Sequence, residues 1–368
     1  MTKQIALPAT VLAAALTFSA CSAPTEKPAA ETKSAATAAP TPNADKPEST
    51  RLLKIVRHSP AFDKLLTTKD EFPGDGTVVR LSLGHKWTEG PVWNRKENYL
   101  LFSDIPNNAI YKWQEGKGAG IFLQPAGYNG KEPFTGKEPG TNGLTYDAEG
   151  RLVMCQHGDR RVARLEADGK TVKTLADKFE GKRLNSPNDL VYHSNGDLYF
   201  TDPIYGLPKG ADDPGRELDF CGVYRLGKNG KLTLLTKEIT RPNGIAFSPD
   251  EKKLYVASSD PDKAIWMVYD VTADGTLANG KVFFDATAWA KEKRPGLPDG
   301  MKVDKDGNVF ATGPGGVHVF APDGTHLGTF ETGVPTANVA FGDDGSTLYI
   351  TANTAVIRIK LNTKGKGF

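Results

Sequence analysis

Cysteine is scarce in this chain, with three in 368 residues, at positions 21, 155 and 221. A fold stapled by several disulfides is excluded, and an oxidising compartment would permit a bond between Cys155 and Cys221 without requiring it. Two free, buried thiols are the expected state. Charge of one sign is lacking too: 46 Lys and Arg against 44 Asp and Glu leave a formal +2. That balance provides no broad basic surface for nucleic acid and suits a small or uncharged partner. Long apolar runs are missing beyond the first twenty residues, and the run there is too short to span a bilayer. No Gly-x-Ser-x-Gly elbow occurs, which argues against a covalent serine mechanism.

The apolar run has the layout of an export signal, with Lys3 before a stretch from Ile5 to Phe18. It ends in Phe18-Ser19-Ala20-Cys21, which resembles the lipobox of bacterial lipoproteins, so residues 1–21 are read as a signal peptide and Cys21 as an acylated membrane anchor. The expected location is exported, periplasmic or anchored in the outer membrane of a bacterium. Residues 22–50 are Ala, Pro, Thr, Lys and Glu with hardly a large apolar residue, too little to bury a core, and are read as a disordered tether. Residues 51–77 carry Leu52, Leu53, Ile55, Phe62, Leu65 and Leu66 at roughly helical spacing and are read as an arm packed outside the main domain.

What is abundant is glycine and proline, 39 and 25 residues, and with them a repeat. A polar residue opening a short alternating apolar stretch recurs six times, at Glu89, Asn142, Asn188, Asn243, Asp299 and Asn338, spaced from 39 residues (299 to 338) to 56 (243 to 299). Each stretch is followed by a turn of Asp, Gly, Asn or Lys type and a second strand pattern, then by a third. Five repeats supply a fourth. The sixth lacks one, but residues 78–83, VVRLSL, precede the first repeat without a partner and can complete the last. The predicted fold is all-β: a six-bladed β-propeller over residues 78–361, with four-stranded blades, closed by the N-terminal strand.

In such a ring the first strand of every blade lines the central channel, so the six openers converge at one mouth. Two carboxylates and four amides meet where packing alone favours small apolar groups, and buried charges need a counter-charge. An all-oxygen set without His or Cys favours one divalent metal ion, calcium first, with magnesium, manganese or zinc as alternatives. Loops from second to third strands emerge on that face and bring Asp104, His157, Asp202 and Asp260 around it. Among these only His157 has an unperturbed pKa near neutrality, which suits proton transfer or a hydrogen bond to substrate. The three longest interruptions, 125–141, 203–220 and 287–298, fall on the same face and are expected to wall a ligand site, with Tyr128, Phe134, Tyr205 and Trp289 among their residues.

Glu89-Gly-Pro-Val-Trp93, Ser186-Pro-Asn-Asp-Leu190, Arg241-Pro-Asn-Gly-Ile-Ala246 and Leu297-Pro-Asp-Gly-Met301 together resemble the SMP-30/gluconolactonase/luciferin-regenerating family, over about residues 52–361. The resemblance implies a six-bladed propeller and a divalent metal held by Glu89, Asn243 and Asp299, with Asn188 a fourth ligand or a substrate contact. It also implies hydrolysis of an aldonolactone such as glucono-1,5-lactone to the open-chain acid, with Asp299 the candidate base and His157 an alternative. Asn142, Asn188, His157 and Asp202 are the candidate substrate contacts. Some members carry an arginine two residues before the Asn188 position. Ser186 stands there in this chain, and Arg183 is the nearest arginine to take its place. Two rival readings keep the fold: a phosphotriester or other ester hydrolase on the same site, and a noncatalytic, calcium-stabilised binding propeller on the cell envelope.

Overall fold

A computed structural model of the protein describes residues 52–74 and 76–368. The signal peptide, Cys21 and the tether expected at 22–50 lie outside the described residues. Six sheets follow one another along the chain, each running outward from its first strand. Blade 1 is Thr88–Asn94, Tyr99–Asp104, Ala109–Gln114 and Gly118–Leu123, and blade 2 is Thr141–Tyr146, Leu152–Gln156, Arg161–Leu165 and Val172–Ala176. Blades 3, 4 and 5 begin at Leu190–Tyr192, Pro242–Phe247 and Met301–Val303. Blade 6 contains Thr336–Gly342, Thr347–Ala352 and Ala355–Lys360 and takes its outer strand from Val78–Leu83, with Val78 opposite Ile359. The expected propeller, its four-stranded blades and its closure by the N-terminal strand are all present.

The alternating patterns have a physical reason at the blade interfaces. Strands buried on both faces send one set of side chains to each neighbouring blade. Buried apolar residues accordingly divide into six clusters, one in each gap. Leu101, Ile110, Leu144 and Met154 fill the gap between blades 1 and 2. Val153, Cys155, Phe200 and Tyr224 fill that between blades 2 and 3. Cys155 and Cys221 are both free and buried, as expected, and burial pushes the Cys221 thiol up to about 12.

The arm departs from the helical spacing read in it. Only Pro60–Asp63 is helical, a single turn capped by Ser59, whereas Lys54–Arg57 is a strand. It pairs with His326–Glu331, Ile55 opposite Phe330, and adds a fifth strand to blade 5. The outer edge of that blade presents unpaired backbone groups, and pairing with them outweighs a helix too short to be stable alone. Phe62 is fully buried against Phe330 at a ring separation of 5.2 Å.

Candidate active site

The openers are turned into the channel by a fault in the ladder. In blades 1, 2, 4 and 6 the register between first and second strands slips at the opener, for example between Glu89 and Val92. Such bulges bend a strand and re-aim a side chain. In blades 3 and 5 the openers precede the strand altogether and hold on through Asn188 N–H to the Thr201 carbonyl at 2.8 Å and Asp299 N–H to the Thr312 carbonyl at 3.0 Å. Hydroxyls of second strands then tie neighbouring blades together at this level. Ser103 donates to the Asn142 carbonyl at 2.8 Å, and Thr201 to the Asn243 carbonyl at 2.7 Å.

Close approach of the blades depends on the residue after the opener. A Cβ on Gly244 would lie 2.2 Å from the Asp299 carbonyl oxygen, and one on Gly90, whose φ is +49°, would lie 2.0 Å from that of Asn142. Glycine is needed at both positions so that the ring can close tightly enough for the openers to meet. Blade 3 has Asp189 in place of this glycine, a buried carboxylate next to Asn188.

The openers meet as a patch of oxygen. Glu89 is 1% exposed and its carboxylate accepts from the Gly90 N–H and from Asn338 Nδ2 at 3.0 Å. Asn338 therefore spends its amide group on Glu89, and its oxygen accepts from the Val339 N–H at 2.9 Å, so it supports the carboxylate rather than presenting oxygen to the channel. Asn243 donates its amide to Ser259 Oγ at 2.9 Å, and Ser259 in turn donates to the Pro298 carbonyl, which leaves the Asn243 side-chain oxygen toward the channel. Asn142 Oδ1, Asn188 Oδ1, Asp189 Oδ2 and Asp299 Oδ1 are buried with no hydrogen-bond partner.

Burial and crowding of negative charge govern these carboxylates. Desolvation, followed by the Asp189 charge, pushes Glu89 up to about 7 against the opposing Gly90 N–H, and desolvation followed by Glu89 holds Asp299 well above the usual carboxylate range. The Lys302 ammonium opposes the upward shift of Glu89. The buried carboxylates of Glu89 and Asp189, the part-buried Asp299 and the unpartnered amide oxygens beside them are hard-oxygen donors of the kind a divalent cation takes, and the expected ligands Glu89, Asn188, Asn243 and Asp299 are of that kind. Among the described residues no three His, Cys, Asp or Glu side chains stand ready to hold a metal between them, so amide oxygens are part of any such site.

The remaining expected site residues divide. His157 is fully buried, with Nδ1 2.9 Å from Glu138 Oε2 but off the line of a hydrogen bond, so both ring nitrogens lack a partner. Asp202, expected as a substrate contact, is engaged by backbone instead. It is fully buried, and its two oxygens accept the N–H groups of Asn185 and Ser186, both at 2.8 Å, which fixes the segment leading to Asn188. Asp104 does the same for Lys86 and Trp87 before Glu89, and Asp260 accepts from Thr240 at 2.7 Å before Asn243. Asp202 and Asp104 are caps, because the segments they receive carry otherwise unpaired N–H groups, whereas Asp260 bonds a hydroxyl. Ser186 donates to the Pro203 carbonyl at 2.6 Å and is fully buried, while Arg183 lies exposed and bonds the Asp159 carbonyl. Arg183 does not replace the missing arginine.

Sequence reasoning missed Glu138 and Asp189. Asp189 was visible as the carboxylate that breaks a run of glycines after the openers. Nothing marked Glu138, because Gly-Lys-Glu-Pro occurs twice in its loop, at 130–133 and 136–139, and only the second glutamate meets His157. Of the expected aromatic wall, Tyr205 reaches the site beside Ser259 and Asp299. Trp289 instead stacks on His318 at 4.7 Å, in blade 5. The other end of the channel holds a cavity of about 920 Å³ lined by Trp93, Tyr146, Tyr192, Phe247, Lys302 and Phe341, and none of the openers lines it.

Comparison with known proteins bears on this geometry. The model of the SMP-30/Gluconolactonase/LRE-like region matches residues 87–354. A gluconolactonase of Zymomonas mobilis is 38% identical over 324 residues, covering 85% of this chain and 87% of that one. A pentonolactonase of Haloferax volcanii is 28% identical over 290 residues, covering 72% and 80%. Among solved structures, a gluconolactonase of Xanthomonas campestris superposes with a TM-score of 0.71 at 31% identity, covering 84% of this chain and 94% of that one.

Proposed function

The chain belongs to the SMP-30/gluconolactonase/LRE-like family, and from that premise we propose that it is a lactonase that opens a sugar lactone, glucono-1,5-lactone or a similar aldonolactone, by water attack at a site holding one divalent cation. The observation that carries the cation is the set of buried oxygens without protein partners, on Asn188 and Asp299, beside the Glu89 carboxylate. Calcium suits that set best, with Mg2+, Mn2+ or Zn2+ as alternatives. Held by Glu89, Asn188, Asn243 and Asp299, it would supply positive charge to the lactone carbonyl and to the oxyanion that follows.

The chain's own groups account for the rest. Asp299 Oδ1 has no protein partner and takes the proton of the attacking water as the oxygen–carbon bond forms. When the ring C–O bond breaks, that proton passes to the ring oxygen, directly or through His157. Asn142 presents oxygen to the sugar hydroxyls, as Asn188 does where it is a substrate contact rather than a cation ligand, and Glu89 is kept in place by Asn338. No thiol takes part: burial raises both Cys155 and Cys221 above their ordinary value. A panel of lactones and simple esters assayed with wild type and Asp299→Asn tests the reading. Turnover of aldonolactones that the variant loses supports it, and equal turnover by both proteins contradicts it. Export and acylation at Cys21 are proposed from the sequence alone, and the mass of the mature N-terminus tests them.

A further inference from the structure

Two insertions from different blades meet at His157. The 125–141 loop is joined to it through the His157 N–H and the Gly140 carbonyl at 3.1 Å. The 203–220 loop packs on its other side, where a Cβ on Gly206 would stand 2.6 Å from that of His157. At this junction polar groups are left without partners. Both ring nitrogens of the buried imidazole lack a well-aligned hydrogen bond, and the buried hydroxyl of Tyr205 has only a marginal contact with Ser259, close to Asp299. Glu138 completes the group: one oxygen is 2.9 Å from His157, the side chain is 34% exposed, and its charge is felt by Asp299. Glu138, His157, Tyr205 and Asp299 thus share one mouth. A buried donor or acceptor left unpaired costs about 1–3 kcal/mol, so three unsatisfied atoms beside a half-open carboxylate mark a place where a ligand supplies the missing hydrogen bonds. Hydroxyl groups fit, since each both donates, here to Glu138, and accepts, here from Tyr205.

We propose that Glu138, His157 and Tyr205 form a hydroxyl-recognition subsite that restricts the enzyme to polyhydroxylated lactone rings, an inference that rests on the lactonase reading for its substrate but not for its geometry. A site built to bond a hydroxyl rejects an analogue without it far more strongly than an apolar pocket can, because the site's own polar groups then stay unpaired. Glu138→Gln and Tyr205→Phe test it in the full chain, first by calorimetric titration with 1,5-anhydro-D-glucitol, a polyhydroxy ring with no ester. Wild type binds it, and each variant binds at least tenfold more weakly. The second readout is the ratio of kcat/KM for glucono-1,5-lactone to that for δ-valerolactone, which has the ring without the hydroxyls, and the ratio falls at least tenfold in each variant. No binding by wild type, or equal binding by wild type and variants with an unchanged ratio, overturns the subsite. Weakened binding of the ester-free ring in the variants supports it even where neither lactone is hydrolysed, which would overturn the lactonase reading alone.

Discussion

Glu89 and Asp299 repel one another inside the protein, and this gives a pH dependence with a definite sign. Glu89 is raised from 4.5 to about 7, so the folded state without metal holds a proton that the unfolded chain releases. Its stabilising contribution is present below pH 4.5 and is lost as pH rises through about 7, roughly 3 kcal/mol in all. Melting temperature in EDTA should therefore fall over that interval. Calcium should raise it most at the high end, where the carboxylates are ionised without competition from protons, and a calcium effect independent of pH would contradict this. Asp299→Asn should lower kcat by about a hundredfold or more while calorimetry still detects calcium. For His157, a glutamine variant should lower kcat on glucono-1,5-lactone at least tenfold if the imidazole moves a proton. An unchanged kcat removes it from the reaction. The openers were legible as residues because one polar side chain in an otherwise apolar strand repeats six times. Their roles were not, since only hydrogen bonding separates Asn338, which supports Glu89, from Asn188, whose oxygen is left free.

Strands and turns set how finely those residues are placed. The six first strands meet through backbone contacts that leave no room at Gly244, so Gly244→Ala should displace the Asp299 backbone, cost roughly 1–3 kcal/mol and weaken calcium binding together with stability. Urea denaturation with and without calcium checks both effects, and a variant with wild-type calcium affinity would contradict the close-approach argument. The hairpins could be read from sequence because alternation and turn chemistry are local. The arm could not, because Lys54–Arg57 becomes a strand only when the edge of blade 5, more than 260 residues on, is there to pair with it. Asp202 was ambiguous for a related reason: an Asp at a loop end facing the site has the same sequence appearance whether it meets a ligand or caps the Asn185 and Ser186 N–H groups.

At the scale of the molecule, the ring is held shut by strand 78–83 on blade 6, and the six gaps between blades share the apolar core. Deleting residues 1–77 should lower stability, through loss of Phe62 and the fifth strand of blade 5, yet leave a folded ring. Deleting residues 1–83 should abolish cooperative unfolding followed by circular dichroism, and a cooperative transition in the shorter chain would contradict closure by that strand. Architecture was the most legible level, because a period that repeats six times leaves few alternatives, whereas the insertions that give the site its walls follow no period. On the proposed function, the oxygens gathered at the channel mouth hold a cation on which lactone opening depends. Proton release from glucono-1,5-lactone, measured in EDTA and again after calcium is added in excess, tests it most directly. Saturable turnover that EDTA abolishes and calcium restores is the expected result. Full turnover in EDTA, by protein shown to be free of metal, would contradict it.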